Sequence, residues 1–192
     1  MRHSLRFLMA AVLLTLLGAS MASAQRPQTR RGFWIGFGIG YGSADVSCDG
    51  CGNVDAEGGF SSFIKLGGTL NDKVLLGADI TGWTKSEGGT TATLGNMTAA
   101  VFFYPMPQSG LFLKGGAGFS VYTESNGIEA DGTGVGLTVG VGYDVRVGAN
   151  ISLTPVADFV WGSVGDIQAD GVTAATGWKQ NLLHLGLGVT FH

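Results

Sequence analysis

Past residue 24 the chain has no apolar run of the roughly 18 residues that a membrane helix requires. A helical membrane protein is therefore excluded for the body of the chain. Proline is scarce, with 4 residues against 34 glycines. A Gly/Pro-rich disordered tract carries both, so that class is excluded too. The only cysteines are Cys48 and Cys51, in Cys-Asp-Gly-Cys. Zinc would need two more ligands and a second pair is lacking. A redox Cys-x-x-Cys needs a βαβ setting, which the pattern does not offer. In an exported protein the pair forms a small loop disulfide or stays reduced. Basic residues, 11 against 14 acidic, give no support to nucleic-acid binding.

What is present is alternation. The chain reads Phe33-Trp34-Ile35-Gly36-Phe37-Gly38-Ile39-Gly40-Tyr41-Gly42 near its start and Leu183-His184-Leu185-Gly186-Leu187-Gly188-Val189-Thr190-Phe191 at its end. A period of two places successive side chains on opposite faces of a strand. On one face stand large apolar residues. The other carries Gly, Ser, Thr and a few charges, which cannot form a hydrophobic core. The apolar face must meet something apolar outside the protein, and a lipid bilayer fits.

The N-terminus reads as a secretory signal over residues 1–24. Arg2, His3 and Arg6 precede an apolar run from Phe7 to Leu17, and Ala22-Ser23-Ala24 supplies a cleavage site. A short membrane anchor is the alternative reading. Cleavage would remove Arg2 and Arg6 and leave nine basic against fourteen acidic residues, a net charge of −5. A short periplasmic segment, 25–32, would follow, and residues 33–192 would form a single domain.

Parity predicts eight strands, near 33–44, 60–70, 74–83, 91–104, 111–123, 133–145, 151–161 and 178–192. About ten residues suffice for a strand tilted across a bilayer. The fourth slips parity near Leu94, as a bulge would cause. Pro155 falls mid-strand on the lipid face, where its missing N–H predicts a bulge or a gap in pairing. The fold expected is all-β, an eight-stranded antiparallel up-and-down transmembrane β-barrel.

Connections alternate in length. Asn71-Asp72-Lys73, 105–110 and 146–150 are short and turn-like. The segments 45–59, 85–90, 124–132 and 163–177 are mostly longer. Short turns belong to the periplasm and longer loops to the exterior, so both chain ends are expected in the periplasm. The longer set holds Asp45, Asp49, Asp55, Glu57, Glu87, Glu124, Glu129, Asp131, Asp166 and Asp170, answered only by Lys85 and Lys179. Acidic extracellular loops follow, either as plain solvated loops or as a surface meeting the divalent cations that bridge lipopolysaccharide. Aromatics are expected in two girdles. Phe33, Trp34, Phe103, Tyr104, Phe112, Tyr143 and Phe191 would make the periplasmic one. Tyr41, Phe60, Trp83, Tyr122, Trp161 and Trp178 would make the outer one.

With this pattern the chain resembles the small eight-stranded outer-membrane barrels of the OmpA/OmpX type, over about residues 33–192. Leu183, Leu185, Leu187, Val189 and Phe191 look like the C-terminal signal read by the outer-membrane insertion machinery, with Leu187, Val189 and Phe191 at its end. In that family the aromatic is normally last, whereas here His192 follows. The resemblance implies residence in the outer membrane of a Gram-negative envelope. Implied partners are lipid and lipopolysaccharide, with the insertion machinery during biogenesis. No cofactor, metal or nucleic acid is implied, and a monomer is expected.

Inward parity gathers Lys65, Asp79, Lys114, Asp144, Asp158, Gln180 and His184. An eight-stranded lumen is about wide enough for side chains to fill it, so these groups are expected to pair as a polar plug. Glycines form two bare walls. Gly36, Gly38, Gly40, Gly42, Gly186 and Gly188 make one, and Gly116, Gly118, Gly134, Gly136, Gly140 and Gly142 the other. A lumen flattened or partly hollow along these walls is one expectation, and glycine merely easing strand coiling is the other.

Three functions compete. The leading one is a non-enzymatic barrel acting in envelope structure or surface interaction, with a mostly plugged lumen. A narrow porin-like solute or ion channel is the second. A lipid-modifying barrel enzyme is the third. It would need a nucleophile and a base near the bilayer surface. The spacing His-x-Ser, used by barrel deacylases, does not occur, and His184 reads as a hydrogen-bonding lumen residue.

Overall fold

The computed structural model describes residues 30–53, 55–125 and 129–192. The expected signal peptide and residues 25–29 lie outside the described residues.

Eight long strands follow one another: β1 Phe33–Cys48, β2 Glu57–Asn71, β3 Val74–Glu87, β4 Thr90–Phe103, β5 Leu111–Ser125, β6 Glu129–Tyr143, β7 Ile151–Ala169 and β8 Val172–Phe191. Each pairs antiparallel with the next. β8 returns to β1, from Ile35 opposite Phe191 to Ser47 opposite Lys179. The sheet is thereby closed into an up-and-down barrel without a free edge. Two-residue strands, Gly52–Asn53 and Val145–Arg146, pair with β1 and β7.

Parity decides the faces. Phe37, Ile39, Ile64, Leu76, Met97, Val101, Leu113, Phe119, Leu137, Val139, Phe159, Leu185 and Leu187 point outward and are exposed. Such a continuous apolar band would be untenable in water and is what lipid requires.

The interior is less polar than alternation alone suggests. Most strands place only a few apolar side chains inward, but the strands pool them. Trp34, Phe63, Leu75, Phe102, Tyr104, Phe112 and Val156 pack together near the chain ends, the terminal pole. At the other, distal pole Trp83, Leu94, Tyr122, Val160, Val164, Ile167 and Leu182 form a second cluster. Polar and charged groups lie between. Leu94 belongs to this distal cluster, so β4 keeps its register with both neighbours and the expected bulge is absent. The parity slip was an apolar residue facing in.

Height along the barrel does not by itself give the side on which an aromatic stands. Trp34, Tyr104, Phe112, Trp83 and Tyr122 are buried inside, and Trp178 packs against the distal cluster. The outward girdles reduce to Phe33, Phe103, Tyr143 and Phe191 at one rim and Tyr41, Phe60 and Trp161 at the other.

The distal connections also differ from expectation. Strands continue past the apolar band, so Asp45, Glu57, Glu87, Glu124, Glu129, Asp131 and Asp166 sit on strand extensions rather than in loops. Segment 163–177, expected as a loop, is a hairpin continuing β7 and β8. Two of the turns are two-residue hairpins with positive φ at both positions: Gly88 60° with Gly89 87°, and Asp170 50° with Gly171 76°. That is the turn whose twist matches a β-ribbon. Long strands with tight turns therefore replace two of the expected loops, while residues 49–56 still form a longer connection. At the terminal pole Asn71 Oδ1 accepts from the backbone N–H of Lys73 and Val74 at 2.9 and 3.0 Å, fixing the β2–β3 turn.

Pro155 stays in register with Leu187 on β8. On its other side, β6 pairing stops at Gly142 opposite Val156 and resumes at Val145 opposite Leu153. The sequence thus predicts the disturbance, and it takes the form of a gap without a bulge. Asp144, in the gap, donates its N–H to the Gly110 carbonyl at 2.9 Å.

Candidate functional site

The titratable groups that parity assigns to the lumen all lie inside, and they fall into three separate sets. In the first, Lys114 on β5 reaches between β3 and β7. Its ammonium donates to Asp79 Oδ1 and Oδ2 at 2.9 and 2.7 Å, and lies 3.0 Å from Asp158 Oδ2. One cation thus holds two buried carboxylates.

The second set centres on Asp144. It accepts from the Tyr104 hydroxyl at 2.7 Å and from Thr154 at 2.8 Å. Lys65 Nζ stands 3.9 Å from Asp144 Oδ1 and 4.4 Å from the centre of the Phe112 ring. Both ends of the described chain converge here. Arg30 lies over Tyr104, 3.6 Å from the ring centre, and donates to the carbonyls of Pro107 and Ser109 at 3.0 and 2.8 Å. His192 Nε2 is 3.7 Å from Asp144 Oδ2. Arg30 is therefore part of the barrel's terminal mouth, whereas the sequence placed it in a separate periplasmic segment.

The third set is a Ser–His pair. His184 Nδ1 lies 2.8 Å from Ser61 Oγ. Sequence reasoning missed Ser61, which sits two strands away. The signal lay in register: Gly40 stands opposite Ser61, and Gly42 opposite His184. With no side chains on β1, His184 of β8 reaches across it to β2. A nucleophile and a base do meet here, but both residues are 0% exposed. Substrate has no access to them, and no carboxylate is hydrogen-bonded to His184 among the described residues.

Side chains of nearby strands lie over the glycine walls. A Cβ at Gly36 would meet Lys65 Cε at 2.8 Å, and one at Gly38 would meet Phe63 Cε1 at 2.6 Å. At Gly142 it would strike Phe112, at Gly136 Asn96, and at Gly140 Asp158. At these positions the walls are bare because bulky neighbours lie on them. Gln180 adds to the filling, donating to Ser120 Oγ at 2.8 Å.

At the distal mouth Lys85 pairs with Glu57 at 3.0 Å and Glu87 at 2.6 Å. The two carboxylates beside it raise the Lys85 ammonium's pKa, and that ammonium holds the Glu87 carboxyl below its ordinary range. Tyr122 donates to Glu124 Oε2 at 2.6 Å. Cys48 and Cys51 stand on one turn at the same pole, 5.4 Å apart at Cα with their sulfurs in bonding contact. Asp49 of that turn donates its N–H to the Thr176 carbonyl at 2.9 Å, docking it on β8. Leu187, Val189 and Phe191 line the outward face of β8.

Known proteins agree with this architecture. Neisserial surface protein A superposes with a TM-score of 0.58 at 21% identity, covering 85% of this chain and 98% of that one. The attachment invasion locus protein Ail of Yersinia pestis superposes at 0.54 and 17% identity, covering 84% and 99%. Ail in complex with the heparin analogue sucrose octasulfate superposes at 0.53 and 15%. At these identities the likeness concerns the fold. No curated protein sequence matches significantly. The model of the outer membrane protein beta-barrel domain matches residues 10–191. With its lipid-facing apolar band and closed eight-stranded ring, the chain belongs to that family and resides in the outer membrane.

Proposed function

We propose that this chain is a non-enzymatic barrel with a plugged lumen, acting in envelope structure or surface contact through its distal pole. The observation that carries the reading is Lys114 clamped between Asp79 and Asp158, amid side chains that cover both glycine walls. A hydrated ion would have to break these buried pairs to pass. The sealed Ser61–His184 pair supports the non-enzymatic reading, because lipid cannot reach it.

In this reading the signal peptide is cleaved after Ala24, both ends are periplasmic, and the acidic distal pole faces outward among lipopolysaccharide. Leu187, Val189 and Phe191 serve the insertion machinery, Cys48 and Cys51 form a disulfide, and the barrel is a monomer. The excess of carboxylates at the distal pole does not suit a polyanion such as the sucrose octasulfate crystallised with Ail.

Planar-bilayer recording tests the plug. The purified barrel is expected to show no steady conductance, and reproducible open steps would overturn it. Incubation with lipopolysaccharide followed by mass analysis is expected to leave the acyl chains unchanged. Loss or gain of an acyl chain would establish an enzyme.

A further inference from the structure

Above the distal cluster the barrel opens into a cup of about 290 Å³, near the low end of small-ligand sites. Its floor is aromatic: Trp83, Tyr122 and Trp178, the last two with ring centres 4.4 Å apart and planes at 44°. Its wall is acidic, with Asp55, Glu57, Glu87 and Glu124 against the single cation Lys85. We propose that this cup binds a small organic ammonium ion with an apolar body, an alkyl- or arylalkylamine.

Two observations carry the assignment. Aromatic side chains and carboxylates around one concavity are the chemistry that recognises a desolvated ammonium. Lys85 already supplies an internal instance, an ammonium on an alkyl stem held at the wall by two carboxylates. A bare metal ion fits less well, because no cluster of three metal-ligating side chains exists among the described residues. An anion would face three uncompensated negative charges, four carboxylates less one ammonium.

The site's biological use rests on the distal pole facing outward, but its chemistry does not. The full barrel, refolded in uncharged micelles, is titrated calorimetrically with 2-phenylethylammonium, 2-phenylethanol and 3-phenylpropionate, each against a protein-free micelle blank. Saturable binding of the ammonium is expected, at least tenfold tighter than the alcohol, with no saturable binding of the carboxylate. Glu57→Gln and Glu124→Gln should each weaken the ammonium severalfold. Lys85→Met should tighten it, since the internal competitor is gone. Asp166→Asn, outside the cup, serves as the control for a general surface-charge effect. Ammonium and alcohol binding alike, no saturable ammonium binding, or equal weakening by Asp166→Asn would each overturn the proposal. Impermeant labelling of intact cells at an Asp170→Cys substitution tests the orientation separately. Protection there would contradict the surface-contact reading and leave the calorimetric result standing.

Discussion

His184 on β8 hydrogen-bonds Ser61 on β2 at 2.8 Å across the intervening strand β1. The contact exists because Gly40 and Gly42 leave β1 without inward side chains at that height. Glycine here clears the way between side chains on the two strands that flank β1. Ser61→Ala leaves the buried imidazole without its partner and is expected to cost about 1–3 kcal/mol. Urea unfolding in micelles, followed by tryptophan fluorescence, measures it. An unchanged midpoint would show that the pair contributes nothing.

The same logic separates inward from outward glycines. A Cβ at Gly38 would sit 2.6 Å from Phe63 Cε1 and 2.6 Å from Gly188 Cα, whereas one at Gly115 meets nothing within 4 Å. Gly38→Ala should destabilise by about 1–3 kcal/mol through overpacking. Gly115→Ala should be neutral or stabilise by up to about 1 kcal/mol, through lost freedom of the unfolded chain. Comparable losses at both positions would mean that glycine is needed for strand coiling instead.

Lys114 is the cation on which two carboxylates depend. Lys114→Met strands Asp79 and Asp158 in the interior and should cost about 3–5 kcal/mol. Adding Asp79→Asn and Asp158→Asn should recover much of that loss, since no uncompensated charge then remains. Additive losses in the triple variant would contradict a shared ionic centre. These variants also bear on the plug, because conductance appearing only in Lys114→Met would locate the barrier at this residue.

At the distal mouth, the direction of the Glu87 shift fixes a pH window. Its folded pKa is lowered by the Lys85 ammonium. The pairing is therefore fully present above the ordinary carboxylate range and is lost as pH falls through the lowered value. Lys85 is raised by Glu87 and Glu57, so its share persists throughout neutral pH and is lost only above the ordinary lysine range. Carboxyl-detected NMR titration should find Glu87 below its usual range and Lys85→Met should return it there. A normal Glu87 titration in the unmodified protein would contradict the pairing.

Much of this architecture was legible because a period of two is a strong signal. Ile35, Phe37 and Ile39, or Leu183, Leu185 and Leu187, announce a lipid face without reference to any other strand. Pro155 likewise announced a defect in pairing. What stayed hidden depended on relations between strands. Leu94 looked like a slipped register because its inward partners Trp83 and Tyr122 lie on β3 and β5. Trp34 and Phe112 looked like girdle residues because height was read without side. The polar groups were assigned to the lumen from parity alone. Their division into a Lys114 centre, an Asp144 centre and a Ser61–His184 pair needed cross-barrel distances. The distal hairpins looked like loops because their composition is polar. Beyond the bilayer the outward face of a β-ribbon meets water, so polarity there says little about strand or loop.

The central claim is that one parity meets lipid and the other is enclosed. Methyl NOEs in lipid nanodiscs test it without altering the protein. Leu137, Val139, Leu185 and Leu187 point out, while Leu75, Val156, Val160 and Leu182 point in. The first set should show NOEs to acyl-chain methylenes, and the second none. Acyl-chain NOEs at Leu75 and Val156, with water NOEs at Leu137 and Leu185, would contradict it.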